Sequence, residues 1–301
     1  MKRSSAARLS IIIACFNASE TLSDQLEALA SQTCELPWEV ILADNGSTDH
    51  SVAIAETYTH RLRLRVIDAS TRRGPAHARN RGVEAAEGDW IAFCDADDIV
   101  GTGWVSATCA AMATHPFVAG QIEVNRLNSE RLARTRRMEQ QEGLQPGTSN
   151  SLGLPHAGSG NMAIHREVFL SVGGFDEELP CLEDTDLCWR VQLHGTPLKY
   201  APDMVLHTRL RSTVGGALRQ GLDYGRGYTR LEERYGCLAP QVTPVERSQG
   251  QHFSQSSIGA ALRTLFLVPT VRGVTWQLAW HLGRHTAAPS PEASPPELPR
   301  S

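Results

Sequence analysis

The sequence has no run approaching the ~20 consecutive apolar residues that cross a bilayer as a helix, so its apolar residues are expected to build a core. It also lacks an excess of basic residues: 29 Lys and Arg stand against 33 Asp and Glu, a net charge of -4. Binding a phosphate backbone needs a dense basic surface, which excludes nucleic acid as the main partner. No two of the seven cysteines have CxxC spacing, and an odd number scattered over 301 residues describes no disulfide framework. A reducing compartment is expected. Internal repeats are absent. The opening MKRSSAARLSIIIACF has a basic and an apolar part, as a secretory leader does. Its apolar part is short, however, and runs into FNASETLSDQ without a small-x-small cleavage site. It reads as a buried first strand, and the expectation is a cytoplasmic protein.

What is present is an alternation of apolar runs and helical patterns. Leu9–Phe16 is a near-continuous β-branched run, the pattern of a strand covered on both faces. A helix with Ser19 as its N-cap and Leu22, Leu26 and Leu29 on one side follows. Further strands are predicted over Glu39–Asp44, Leu62–Asp68, Asp89–Cys94 and Phe117–Arg126. Helices are predicted from about Thr48 to Thr57 and from Gly74-Pro75 through Glu87. Strand and helix in alternation imply an α/β fold with a parallel sheet and right-handed crossovers. Asn128–Ser151 is polar and reads as a long surface excursion. Helical signals return at Arg166–Val172, Asp184–Leu193 and Ser212–Tyr235. The final PSPEASPPELPRS is too rich in proline to pack.

Ligands of open parallel sheets bind beyond the carboxyl ends of the strands. The first strand ends there in Ala14-Cys15-Phe16-Asn17, the second in Asp44-Asn45-Gly46-Ser47-Thr48-Asp49, and the fourth in Asp95-Ala96-Asp97-Asp98. Three carboxylates within four residues repel and raise one another's pKa. A hard divalent cation relieves that repulsion. The plain alternative is a solvated acidic turn before a helix. Asp44 has two readings as well, an Asx turn or an acceptor for a base or ribose.

The order of these segments resembles the family 2 glycosyltransferases of the GT-A fold. The matching pieces are LSIIIACFNASETL, EVILADNGSTDHS, GPAHARNRGVEAAEGDWIAFCDADD, GNMAIHREVFLSVGGFDE and LEDTDLCWRVQLHG. They occur in the family's order and cover most of Leu9 to about His207. The resemblance implies a nucleotide-sugar donor, usually a UDP-sugar, an Mn²⁺ or Mg²⁺ ion, and inversion at the anomeric carbon. It places Ala14, Asn17 and Asp44 in the base and ribose pocket, with Asn45 standing where the family often has a second aspartate. Arg73, Gly74 and Arg79 fall in the stretch that closes over the nucleotide, although Arg79 also reads as a surface helix residue. Asp95 and Asp97 match the DXD pair, Asp97 being the first choice for the metal and Asp98 a substitute. His207 matches a histidine that some members use as a further metal ligand; otherwise it is structural. Gly160 and Asn161 lie in the acceptor-side loop.

The family's catalytic base lies in an ED motif, here Glu183-Asp184. Inverting transfer needs a group that takes the acceptor hydroxyl proton, and Asp184 is the choice, with Glu183 second. Alternatively the pair is an acidic helix start that complements the dipole. The expected organisation is a GT-A domain over residues 1–210, with a donor half to about 126 and an acceptor half from about 150. A helical extension over 211–286 and a disordered tail over 287–301 follow. Ser257–His285 is amphipathic, interrupted by Pro269 and Gly273. It would pack on the catalytic domain, mediate a dimer, or lie on a membrane surface. The acceptor is a glycan, a lipid-linked molecule or a small molecule. Rival readings are an inactive nucleotide-sugar-binding protein and a nucleotidyltransferase. The latter needs a glycine-rich phosphate loop after the first strand, where CFNASETL has none.

Overall fold

A computed structural model of the chain describes residues 7–134, 139–146, 152–211, 213–238 and 271–287. The first half alternates β1 (Leu9–Cys15), α1 (Leu22–Ala30), β2 (Trp38–Asp44), α2 (Ser51–Glu56), β3 (Leu64–Asp68), α3 (Pro75–Ala85) and β4 (Trp90–Asp95). The short β5 (Ile99–Val100), α4 (Trp104–Met112), β6 (Phe117–Glu123) and α5 (Glu130–Ala133) follow. Then come β7 (Asn161–His165), α6 (Arg166–Ser171), α7 (Glu183–Leu193), β8 (Lys199–His207), α8 (Val214–Tyr235) and α9 (Val271–Thr286).

All eight strands join one sheet in the order β3-β2-β1-β4-β7-β6-β8-β5. The first four are parallel, with Cys15 opposite Asp44 and Ala14 opposite Asp95. β7 runs antiparallel between β4 and β6. The mixed sheet is therefore parallel on the side that carries the three loaded strand ends.

Alternation along β1 divides the core between two layers. Leu9, Ile11, Ile13 and Cys15 join α1 and α4 on one face. Ile12 meets α3 and the aromatic layer of Phe93, Phe169, Phe175 and Trp189 on the other. A side chain at Gly82 of α3 would put its Cβ 2.3 Å from Ile12, so that helix can lie close to the sheet only because the residue is glycine. α8 closes this layer with Leu231 and Tyr235.

Several boundaries differ from the sequence reading for local reasons. α1 is capped by Thr21 with no side-chain hydrogen bond, while the Ser19 amide donates to Asp49 at 2.9 Å. α3 ends before Glu87 because Ala86 turns extended and the Glu87 amide donates to Glu39. β6 stops at Glu123, whose carboxylate accepts from the Asn125 and Arg126 amides and turns the chain. Part of Asn128–Ser151 is packed instead of lying free on the surface. Ala133 joins Ile122, Val124 and Leu210 in a small apolar cluster. Gln140 is fully buried, donating to the Gly120 carbonyl and accepting from the Gly158 amide. Gly173 and Gly174 both take positive φ after α6, ending it as predicted near Val172. Gly273 lies within α9 and does not break it; Pro269, residues 257–270 and all but the first residue of the 287–301 tail lie outside the described residues.

Candidate active site

The strand order brings the predicted segments to one edge. At the end of β1, Asn17 sits in the left-handed region at φ 50°. Its side-chain oxygen accepts from the Thr48 amide at 2.8 Å, and its own amide donates to Ser47 Oγ. At the end of β2 the Asp44 carboxylate accepts from the Gly46 and Ser47 amides. Both loops are thus braced against each other beside Ala14. Phe16 is half exposed, and the Arg73 guanidinium lies 4.2 Å above its ring. Arg73 also donates to the Asn45 carbonyl at 2.6 Å. Gly74 has φ +134°, and a Cβ at this position would meet nothing within 4 Å, so backbone freedom is what the position requires.

Asn45 has a function that sequence reasoning missed. It is buried, donates to the Ala69 and Arg72 carbonyls at 2.6 and 2.8 Å, and accepts from the Gly74 amide at 2.9 Å. An aspartate could not make the two donations. The departure from the family's usual second aspartate was the available signal.

Arg79 is the centre of the arrangement. It is 6% exposed. One guanidinium nitrogen donates to Glu183 Oε1 and the other to Asp95 Oδ1, both at 2.8 Å. A planar fork can hold two carboxylates from separate elements in fixed relation. The two acidic neighbours outweigh burial and raise the Arg79 pKa.

Asp95, Asp97 and Asp98 each offer an oxygen, all within 4.8 Å of one another. Burial first, and then Asp95 and Asp97, push the Asp98 carboxyl well above its ordinary range. The Asp97 carboxyl is raised too, by partial loss of water and then by Asp95, although its outer edge is open to solvent. This all-oxygen, mutually repelling donor set fits a hard divalent cation. Asp98 is braced by the Thr208 hydroxyl and the Arg209 amide. His207 stands outside the group; its Nδ1 is 2.8 Å from Glu123. Gln25, also missed, is buried and secures the acidic loop from below, donating to the Asp95 carbonyl and accepting from the Val100 amide.

The loop before β7 is wedged between the acidic group and α7. A Cβ on Gly160 would stand 2.7 Å from Asp95 Oδ2. One residue earlier, the Ser159 amide donates to Asp184 Oδ2 at 3.2 Å. Asp184 Oδ1 accepts from the Thr185 amide at 2.7 Å. Burial and the adjacent Glu183 push the Asp184 carboxyl up to about 7. Leu182, at φ 62°, turns the chain into α7 so that both acids occupy its first turn. Asn161 is fully buried, accepting from Trp104 Nε1 and donating to the Gln121 and Met204 carbonyls, so its side chain ties the sheet to α4. Asp186 is wholly buried; it accepts from Arg190 one turn on in α7 and joins α7 to α8 through Arg234 and the Tyr235 hydroxyl.

The sequence matches the family described as glycosyl transferase family 2 over residues 10–173. Among curated proteins, a poly-beta-1,6-N-acetyl-D-glucosamine synthase of Staphylococcus epidermidis is 24% identical over 225 residues, covering 73% of this chain and 54% of the synthase. A PGL/p-HBAD biosynthesis glycosyltransferase of Mycobacterium bovis is 40% identical over 94 residues, 31% of this chain and 36% of that protein. The chain therefore spans less than two thirds of either relative. Among solved structures, the mannosyltransferase PcManGT of Pyrobaculum calidifontis, in complex with GDP-Man and Mn²⁺, superposes with a TM-score of 0.60 at 18% identity, covering 94% of this chain and 87% of that one. S. aureus TarS 1-349 with UDP-GlcNAc gives 0.54 at 16% identity, over 92% and 89%. At these identities the likeness is one of fold.

Proposed function

This chain belongs to glycosyl transferase family 2, and from that premise we propose that it moves a sugar from a nucleoside diphosphate, first of all a UDP-sugar, to an acceptor hydroxyl with inversion. The observation that carries the proposal is the Arg79 bridge. It holds Asp95, at the end of the donor-side strand, and Glu183, at the start of α7, on one guanidinium. The acidic loop and the first turn of the helix that carries the candidate base are thereby tied together.

In this reading Ala14, Asn17, Asp44 and Arg73 line the nucleoside end, with Gly74 letting the 69–74 loop approach closely. Asp95, Asp97 and Asp98 would hold Mn²⁺ or Mg²⁺, which when bound supplies positive charge to the diphosphate. Asp184 accepts the acceptor's hydroxyl proton as that oxygen bonds to the anomeric carbon and the sugar–phosphate bond breaks. A carboxyl raised to about 7 is matched to that task near neutral pH. The Ser159 and Thr185 amides orient it. The acceptor class is a glycan, by analogy with the synthase named above.

A thermal-shift series with nucleoside diphosphates, with and without Mn²⁺, tests the donor site. A ligand at 100 times its Kd stabilises by about 2.7 kcal/mol. Metal-dependent stabilisation by one nucleotide, abolished in Asp97→Ala, is expected. No shift with any nucleotide at millimolar concentration would refute the donor site. Release of free sugar or transfer to oligosaccharides then separates an active enzyme from a binding protein.

A further inference from the structure

The 69–74 loop, which would approach the nucleotide, is gripped from two sides. On the inner side Asn45 holds the Ala69 and Arg72 carbonyls and the Gly74 amide. On the outer side it meets α3 and the 174–178 segment, which precedes α7 and lies 100 residues further along the chain. That segment is the fixed partner in the contact. Gly174 comes so close to α3 that a Cβ there would stand 2.8 Å from Asn80 Oδ1. The same oxygen accepts from the Phe175 amide at 3.0 Å, while Asn80 Nδ2 donates to the Phe175 carbonyl at 2.9 Å and to Glu177 Oε1 at 2.8 Å. Phe175 is buried against Phe93 and Phe169, and Asp176 pairs with Arg234 of α8 at 2.7 Å. Thr71, Arg72 and Arg73 on the loop are exposed. Order therefore passes from the 174–178 segment to the loop.

Glu177 makes the connection through His77. Its Oε2 lies 2.9 Å from His77 Nδ1, and His77 Nε2 lies 2.9 Å from the Thr71 hydroxyl oxygen. Burial alone would raise the Glu177 carboxyl, but hydrogen bonds from Asn80 and His77 outweigh it and hold the group below its ordinary range. An ionised carboxylate only accepts, so Nδ1 carries the proton and, in the neutral ring, Nε2 accepts from the Thr71 hydroxyl. The direction of both bonds is thus set from the carboxylate outward. A second link, Arg72 to Glu178 at 2.8 Å, has side chains 42% and 76% exposed and contributes little. The His77 and Glu177 side chains are only 11% and 25% exposed, so theirs is the link that orders the loop.

We propose that Glu177 is a positioning residue of the donor site: through His77 it holds Thr71 and so presets the 69–74 loop in the conformation that receives the nucleotide. This role rests on the donor site proposed above. Glu177 acts on the nucleotide only through the loop. It sets the fraction of molecules whose loop is ready, and apparent affinity falls in proportion to that fraction.

Hydrogen exchange of the 69–76 peptide in the unliganded full chain, and calorimetric titration with UDP, GDP and dTDP in the presence of Mn²⁺, test it together. The Ser70 and Gly74 amides are both hydrogen-bonded in wild type. In Glu177→Ala they are expected to exchange roughly tenfold faster, and the nucleotide Kd to rise roughly tenfold, while β1 exchanges as before. Glu177→Gln should recover most of both effects, because its amide can donate to His77 Nδ1 once the ring proton moves to Nε2. Thr71→Val, a change at an exposed position, removes only the last bond of the relay and should loosen the same peptide. A lower unfolding midpoint for Glu177→Ala with unchanged exchange in 69–76 would mean a purely structural role and overturn the proposal. Unchanged nucleotide Kd in that variant, or unchanged exchange in Thr71→Val, does the same. Failure of wild type to bind any of the three nucleotides is a different result: it overturns the donor site itself, and this role with it.

Discussion

Replacing Arg79 by alanine tests the arrangement of the site most directly, because this one side chain joins two elements 104 residues apart in sequence. The Arg79 side chain is 7% exposed, its partner Glu183 9% and Asp95 35%. Removing one member of a buried ion pair costs about 3–5 kcal/mol, because a charge is left without a partner. The lower end applies, since water reaches Asp95 and can replace part of what it loses. About 3 kcal/mol corresponds to a fall in Tm of roughly 6–12 °C for a domain of this size. The alanine variant also takes a positive charge away from the Asp95, Asp97 and Asp98 group. Added Mn²⁺ should therefore recover more stability in the variant than in wild type. Urea unfolding and differential scanning calorimetry, each with and without Mn²⁺, read both effects. Arg79→Lys keeps the charge but cannot bridge two carboxylates with one planar fork, so it should fall between the two. A loss below about 1 kcal/mol for Arg79→Ala would refute the reasoning, since that is the scale of a surface ion pair.

Asp184→Asn should lower turnover by about 10²–10⁴-fold while leaving nucleotide binding by calorimetry intact. In wild type the rate should rise with pH through about 7, where the base loses its proton. Because this carboxyl is raised on folding, its ionisation costs stability as pH climbs from the ordinary carboxylate range to about 7. Asp184→Asn should accordingly raise Tm at pH 8 and leave it unchanged at pH 4, and the opposite pattern in a melting series would count against the assignment. Asn45→Asp removes the donations to Ala69 and Arg72 and should cost about 1–3 kcal/mol in chemical denaturation. Gly160→Ala would place a Cβ 2.7 Å from Asp95 Oδ2; displacement of that carboxylate should weaken Mn²⁺-dependent nucleotide binding in titration calorimetry with little change in Tm.

The parallel half of the sheet was legible in the sequence because its strands are covered on both faces. Leu9–Cys15, Trp38–Asp44 and Trp90–Asp95 are almost wholly buried, and burial on two sides demands the unbroken apolar runs that mark a strand. The ends of those runs also marked Asp44 and Asp95 as residues delivered to one edge. Two strands of the other half, β7 and β8, escaped. Asn161–His165 is only five residues long, and Lys199–His207 mixes exposed and buried positions around Pro202. Tertiary pairing, rather than local pattern, makes strands of these two segments. The same division runs through the site. Sequence order named Asp95, Asp97, Asp98, Glu183 and Asp184 through the motifs they occupy. Nothing local told whether Arg79 faced water or the interior, since a helix places a side chain by its packing partner and not by its own chemistry. Asn45, Gln25 and the Gly160 contact were likewise decided only when strands and loops distant in sequence closed to within hydrogen-bonding or van der Waals range.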